Sequence, residues 1–331
     1  MEKSEIIELL KGNPAETGLF KKADEVRKKY VGDDIYLRGL IEFSNICHRN
    51  CLYCGLRRDN KIIHRYLMSD DEIFEAAVLA KKLGYTSIVL QSGEPLSFNI
   101  KKFLELLKRI KNETGLIITL SMGELEKEYY LLLKEAGASR YLMRFETSDR
   151  NLYSYLKPDS KYEKRFECLS WLRELGFEVG SGIMVGLPGQ SVESIADDIM
   201  LFDKLKIDMI GIGPFISNPE TPLKNFNNNN FELAIKTLAV TRIVCPKSNI
   251  PATSAMEALD DNGREKALMA GANVIMPNIT PYNFKDKYIL YPGKSIFDDP
   301  YEYSVYLKNL IEKLGRKWGK GPGNSRVKEG L

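Results

Sequence analysis

Apolar residues fall into two alternating patterns along most of the chain. Short unbroken runs give way to longer stretches in which apolar positions recur every three or four residues. The first pattern marks strands buried on both faces, the second amphipathic helices with one face on a core. Runs at 35–44, 87–91, 116–121, 140–146, 178–185, 209–213, 251–254 and 273–276 predict eight strands. Helical periodicity lies between them near 73–83, 99–111, 125–136, 161–175, 191–205, 231–243 and 260–270. Ser69-Asp-Asp-Glu72 supplies an N-cap and capping box for the first of these helices, and Gly84 a C-cap. Strands alternating with helices imply a parallel sheet, and eight such units imply an α/β fold closed as a (β/α)8 TIM-type barrel. An open doubly wound sheet is the alternative that the pattern leaves. Residues 1–34 read as an N-terminal helical extension, 35–315 as the barrel and 316–331 as a basic, loosely ordered tail. Residues 227–230 read as an Asn-rich loop, and no linker marks a second domain.

Composition supports this picture without redirecting it. The 331 residues are 44% hydrophobic and 28% charged, as in a globular protein with a sizeable core. A net charge of +3 gives no argument for nucleic acid. There is no apolar run of membrane-spanning length, and Met1-Glu-Lys-Ser-Glu5 does not open a signal peptide, so the expected location is cytoplasmic.

The cysteines change the picture more. Of five, three stand as Cys47-x3-Cys51-x2-Cys54 directly after the first predicted strand. This is no disulfide framework, and Cys168 and Cys245 read as buried, unreactive thiols. Three thiolates are one short of a closed zinc site or a fully ligated iron–sulfur cluster; a cluster held by three leaves one iron open. In a TIM-type barrel the chemistry sits at the C-terminal ends of the strands. Polar groups collect there: Gln91-Ser-Gly-Glu94, Ser121, Arg144 and Glu146, Thr253 and Ser254, and Asn278. Charges on barrel strands are costly to bury unless paired or serving a ligand, so Arg38, Arg144 and Glu146 point to a polar cavity, or else to an internal ion-pair cluster. His48 and His64 read as surface residues, which leaves little material for histidine chemistry and points to chemistry borne by a cofactor.

The cysteine spacing resembles the signature of radical S-adenosylmethionine (SAM) enzymes, in which the open iron takes the amino and carboxylate groups of SAM. The flanking residues are more specific. Asn50-Cys-Leu-Tyr-Cys-Gly-Leu-Arg-Arg-Asp-Asn-Lys61, Ile88-Val-Leu-Gln-Ser-Gly-Glu94, Met184-Val-Gly-Leu-Pro-Gly-Gln190, Gly271-Ala-Asn-Val-Ile-Met-Pro-Asn278 and Leu290-Tyr-Pro-Gly-Lys294 resemble the HydE family, the radical SAM maturases of FeFe-hydrogenase. The resemblance runs over nearly the whole chain. It implies one 4Fe-4S cluster on Cys47, Cys51 and Cys54. SAM would lie against Tyr53, Gln91, Ser92, Ser121, Glu146, Arg165, Met184, Leu187 and Ile212, with Arg165 on its carboxylate. Arg38, Arg144, Thr253, Ser254, Met276, Tyr288 and Tyr291 would line the substrate cavity or its anion sites.

The implied reaction begins with an electron from an external one-electron reductant. SAM is cleaved to methionine and a 5′-deoxyadenosyl radical, which attacks a small-molecule or small iron-complex substrate. In the family this is a cysteine-bound iron carbonyl cyanide complex, which implies other hydrogenase maturases as partners. Three departures stand out. Phe297-Asp-Asp-Pro-Tyr-Glu-Tyr303 carries no second cysteine set, so a single cluster is expected; Phe145 stands where the family pattern has His; Ser254 replaces a second Thr. The last two are expected to touch the cavity. Three other readings compete: a HydE-like enzyme with a different small substrate, related to methylornithine synthase; biotin synthase, disfavoured because only Cys168 and Cys245 remain as further ligands; and a non-catalytic protein holding zinc or an inert cluster.

Overall fold

The strand β1 (Asp34–Ser44) is the longest in the protein and the one from which the barrel is built. The computed structural model describes residues 1–226, 230–293 and 299–327. β1 is followed by β2 (Ser87–Ser92), β3 (Ile117–Ser121), β4 (Ala138–Leu142), β5 (Glu178–Val185), β6 (Met209–Pro214) and β7 (Val274–Ile275). All pair in parallel, in the order β6-β5-β4-β3-β2-β1-β7. The gap between β6 and β7 is closed by residues 249–252. Asn249 bridges to Met209 and Pro251 to Val274, with Ile210 N–H donating to the Asn249 carbonyl at 2.8 Å and Ala252 N–H to the Val274 carbonyl at 2.9 Å. The barrel expected from the alternation of strands and helices is therefore the observed fold.

Two predicted strands need correction. The run 251–254 is not a strand: the closing segment starts earlier, and Ser254 already opens the helix Ser254–Leu259. Pro251 has no N–H to extend a ladder there. β4 ends at Leu142 rather than at Glu146, because the chain bends until Glu146 takes a left-handed conformation, φ 69°.

The helical layer forms where periodicity predicted it. Ser69 accepts the Glu72 N–H at 3.3 Å while the Glu72 carboxylate accepts the Ser69 N–H at 2.8 Å, which starts the helix Asp70–Lys82. The helix Arg150–Leu156 was not anticipated; it is two turns long and follows the Glu146 bend. The N-terminal helices Lys3–Lys11 and Leu19–Val31 pack against Phe231–Val244. That helix is covered along most of its length, so its Arg242 is fully buried. The guanidinium is satisfied by the carbonyls of Gly271, Pro246 and Ser248 and by Asn273 Oδ1, at 2.7–3.0 Å.

The expected loose tail is also corrected. A short strand β8 (Lys317–Trp318) pairs with the start of β1, outside the barrel path, and the chain then straps across the N-terminal end of the barrel. Thr86 donates to the Gly321 carbonyl, Arg140 to the Pro322 carbonyl and Asn324 Oδ1, and Arg38 and Asn249 to the Gly323 carbonyl, all at 2.7–3.0 Å. Buried cations inside a barrel need acceptors, and a glycine-rich strand of backbone carbonyls provides them. The end of the predicted tail, 328–331, lies outside the described residues, as do 227–229 of the Asn-rich loop and 294–298, which hold part of the cysteine-free C-terminal stretch. Among the described residues no helix is long and apolar enough to cross a membrane.

Replacing Arg242 by Met would leave the carbonyls of Gly271, Pro246 and Ser248 without this donor, whereas Asn273 Oδ1 keeps the Ile250 N–H at 2.9 Å. Unsatisfied buried acceptors cost about 1–3 kcal/mol each, partly relieved by relaxation. The expected loss is at least about 3 kcal/mol of unfolding free energy, read from the urea midpoint; a variant as stable as wild type would show that these bonds add nothing net.

Candidate active site

The cysteine loop has almost no secondary structure of its own, and side chains fix it in place. Arg65 donates to the carbonyls of Asn45, Leu56 and Arg57 at 2.6–2.8 Å. Asn45 donates to the carbonyls of His64 and Lys287 and accepts the Tyr66 N–H, each at 2.8 Å. At the end of β2, Gly93 lies so close beneath the loop that a Cβ there would sit 2.4 Å from the Ile46 carbonyl oxygen and 2.8 Å from Cys47 Cβ. The close approach that this glycine permits is thus to the loop. Glu94 then ties the loop twice, its carbonyl accepting the His48 N–H at 2.9 Å and its own N–H pointing at Cys47 Sγ at 3.4 Å.

So held, Cys47, Cys51 and Cys54 line one cavity of about 200 Å³ at the C-terminal end of the barrel. Tyr53, Gln91, Ser92, Ser121, Arg144, Glu146, Arg165 and Tyr288 line it too. Below it lies a second cavity of about 300 Å³, lined by Met184, Thr253, Ser254, Met276 and Tyr291. Tyr53, Cys54, Gln91, Arg144 and Glu146 belong to both, so the two are continuous. The lower chamber exists partly because β6 turns Gly211 and Gly213 inward, where larger side chains would fill the lumen.

Three predicted residues sit elsewhere. Ile212 is fully buried between the inward-facing Gly211 and Gly213, so its side chain faces the helix layer; its carbonyl accepts the Thr253 hydroxyl at 3.1 Å. Leu187 packs with Leu152, Leu156, Phe215 and Leu223 in a small cluster that Tyr53 and Met184 touch, one layer behind the cavity. Arg38 lies beneath the lower chamber, its Nη1 directed at Met209 Sδ at 3.1 Å, with Met209 forming the floor. Burial and the neighbouring Arg140 pull the Arg38 guanidinium down to about 9. Phe145, expected at the cavity, instead faces outward and packs between Phe166 and Phe202, so its difference from the family pattern changes the helix contact and not the lining. Ser254 does line the chamber and pairs with Tyr291 Oη at 2.7 Å.

Several groups in the site were given no role from the sequence, where Glu94 stood only as one of the polar strand-end residues. Glu94 and Glu124 are carboxylates with buried side chains that face the half-buried Arg49 and the buried Arg165: Arg49 donates to Glu94 and Glu124 at 2.5 and 2.6 Å, and Arg165 to Glu124 at 2.9 Å. Burial works against the Arg165 charge, but Glu124 and Glu94 outweigh it and hold the guanidinium well above its ordinary value. Glu42 lines the lower chamber and accepts from Asn278 at 2.7 Å. Lys157 lines the upper cavity. Asp198, buried on the helix Val192–Lys204, accepts both the N–H and hydroxyl of Ser148, at 2.6 and 2.5 Å, and so fastens the bend after Glu146. Glu124 stands just past a strand end, as Glu94 does, and that position could have flagged it. Nothing local marks Lys157 or Asp198.

A barrel with a three-cysteine loop at its polar end defines the radical SAM class. Residues 41–202 match the Radical SAM superfamily, and residues 207–301 match the Biotin and Thiamin Synthesis associated domain. The chain belongs to the HydE family: it is 50% identical to the FeFe-hydrogenase maturase subunit HydE of Thermotoga maritima over 93% of its own length and 88% of that protein's. It is 31% identical to 3-methylornithine synthase of Methanosarcina acetivorans, over 89% of this chain and 83% of that one. The crystal structure of methylornithine synthase superposes with a TM-score of 0.86 at 27% identity, covering 96% of this chain and 94% of that one. The protein is a radical SAM enzyme, and the cofactors of that family are a 4Fe-4S cluster and SAM.

The donor set fits the cluster. All three thiols are free of disulfides, and burial pushes each of them up, so the thiolates need a bound cation to be favoured. Among the described residues no group of three or more His, Cys, Asp or Glu is gathered to hold a single metal ion. A cubane asks for less convergence, since each thiolate binds a different iron.

Burial raises Asp198 to about 7, against the Ser148 hydrogen bonds that lower it. The folded protein therefore binds a proton that the unfolded chain has lost between about pH 4 and pH 7. Stability from this group should be greatest at the acid end of that window and fall as pH rises through it. Urea unfolding of Asp198→Asn should lack that slope; parallel wild-type and variant curves would refute the assignment.

Proposed function

We propose that Cys47, Cys51 and Cys54 hold the cluster, that the upper cavity holds SAM and that the lower chamber holds the substrate. The observation that carries this reading is the convergence of the three thiols, a buried arginine–glutamate network and the left-handed Glu146 on one cavity that opens into a second. When bound, cluster and SAM supply one-electron cleavage of a sulfur–carbon bond, and everything else falls to the chain. Arg165, braced by Glu124, presents a fixed guanidinium to the SAM carboxylate. Glu146, held by Arg144 at 3.1 Å and by the Asp198-fastened bend, accepts hydroxyl hydrogen bonds from the ribose. Tyr53, Gln91, Ser92, Ser121 and Met184 enclose the remainder. In the lower chamber Arg144, Thr253, Ser254, Met276 and Tyr291 surround a small substrate, with Tyr288, expected there, on the upper cavity instead; beneath the floor Arg38 supplies a positive charge suited to an anionic group, while Arg140 is paired with Glu178 at 2.7 Å. The enclosure matters because a primary carbon radical reacts with whatever it meets.

The substrate class that best suits a small, cation-floored chamber in a chain of this family is an anionic iron complex on the way to the hydrogenase diiron centre. The other hydrogenase maturases would supply and receive it, with an external one-electron reductant. A different small substrate is the second reading, supported by the closeness of the whole fold to methylornithine synthase, TM-score 0.86.

Anaerobically reconstituted protein should bind about four irons and, once reduced, turn SAM into 5′-deoxyadenosine; Cys51→Ala should lose both. Equal deoxyadenosine from the variant and wild type would sink the assignment of the cysteines. In cells making FeFe-hydrogenase without their own HydE, this chain should restore hydrogenase activity. Active SAM cleavage without restoration would favour the second reading.

A further inference from the structure

Lys157 is the exception among the cations at this end of the barrel. Arg49 is paired with Glu94 and Glu124, Arg165 with Glu124, and Arg144 with Glu146. Lys157 is only 5% exposed, yet among the described residues its ammonium has no hydrogen-bond or ion-pair partner; its one neighbour of note is the Tyr153 ring, 5.5 Å away. A buried, unpaired ammonium is expensive to keep unless the site supplies an anion.

The fold places this charge deliberately. Lys157 is the C-cap of the helix Arg150–Leu156, its backbone N–H donating to the Tyr153 carbonyl at 2.9 Å. The Leu52 N–H donates to the Leu156 carbonyl at 2.9 Å, which staples the cysteine loop to that helix end beside Cys51. The ammonium shares the upper cavity with all three cysteines.

We propose that Lys157 is an electrostatic positioning residue for the cluster: its ammonium is the counter-charge that favours the one-electron-reduced state. The inference rests on the cluster assignment above. The step it biases is simple: one electron passes from an external low-potential donor to the cluster, whose net charge becomes one unit more negative. A fixed positive charge in a water-poor cavity stabilises the reduced form more than the oxidised one and raises the potential. Arg165 has a different task, because its guanidinium is already engaged by carboxylates that cancel much of its field.

The test is a potentiometric titration of the reconstituted cluster, followed by electron paramagnetic resonance, in wild type, Lys157→Met and Lys157→Arg without SAM. Lys157→Met should lower the reduced-to-oxidised ratio at a fixed potential about tenfold, equal to about 59 mV for one electron. Lys157→Arg should recover most of it. The affinity for SAM, measured separately, should change less than threefold in Lys157→Met on the same order-of-magnitude reasoning. An unchanged potential with a tenfold weaker SAM affinity would make Lys157 a carboxylate anchor and overturn the proposal; no change in either would overturn it too. Should Lys157→Met take up no iron, Lys157→Gln is titrated in its place under the same criteria. Wild-type protein that binds no cluster would defeat the cluster assignment itself, whereas a loaded wild type with an insensitive potential defeats only this inference.

Discussion

Three thiols separated by loop residues converge on one cavity only if the loop is held from outside, and in this protein buried polar side chains do the holding. Arg65 and Asn45 satisfy carbonyls that no helix or sheet would otherwise satisfy, Glu94 lends its backbone to both sides of Cys47, and Gly93 leaves the space through which the loop passes. Each interaction is worth little alone after desolvation, but losing any one strands a buried group, so the set behaves as a unit. The rest of the site is arranged around that loop.

The barrel has two unlike ends. At the C-terminal end, charges are paired in a shared network, Arg49 and Arg165 against Glu94 and Glu124, so that guanidiniums stand in fixed directions without the cost of bare burial. At the other end, Arg38 and Arg140 enter the lumen and the C-terminal strap closes over them with backbone carbonyls. Arg140 is also paired with Glu178 at 2.7 Å, whereas Arg38 has no carboxylate partner among the described residues, so the positive charge left under the chamber is that of Arg38. The lumen between is open because glycines replace side chains on β6. A polar mouth, an open middle and a floor closed by the strap over Arg38 follow from this arrangement.

Within this frame the differences from the family pattern carry unequal weight. Phe145 is stacked in the helix layer and cannot alter what the chamber contacts directly. Ser254 does face the chamber and already spends its hydroxyl on Tyr291, so a methyl group is lost there while the hydrogen bond is kept. The rest of the lining sets a few polar groups, Glu42, Gln91, Arg144 and Glu146 among them, into a mostly apolar wall that includes Leu40, Leu142, Met184, Met209, Phe215 and Met276.

Much of this was legible in the chain. Eight apolar runs between amphipathic stretches determined the barrel, because the alternation of period is set locally by backbone geometry. Cysteine spacing and its flanks determined the cofactor class, and strand-end position found Gln91, Ser92, Ser121, Arg144 and Glu146. Inward or outward direction past the end of β4 was not legible, since the bend at Glu146 and the packing of Phe166 and Phe202 decide it. Arg38 was read as cavity lining because strand position does not reveal that Met209 and the C-terminal strap lie on either side of it. The strap, with its Gly-Lys-Gly-Pro-Gly sequence, reads as loose until the buried arginines that need its carbonyls are in place. Lys157 and Asp198 have no local signature at all. Only tertiary structure brings one to Cys51 and the other to Ser148, because their partners lie far along the chain or in the cavity itself.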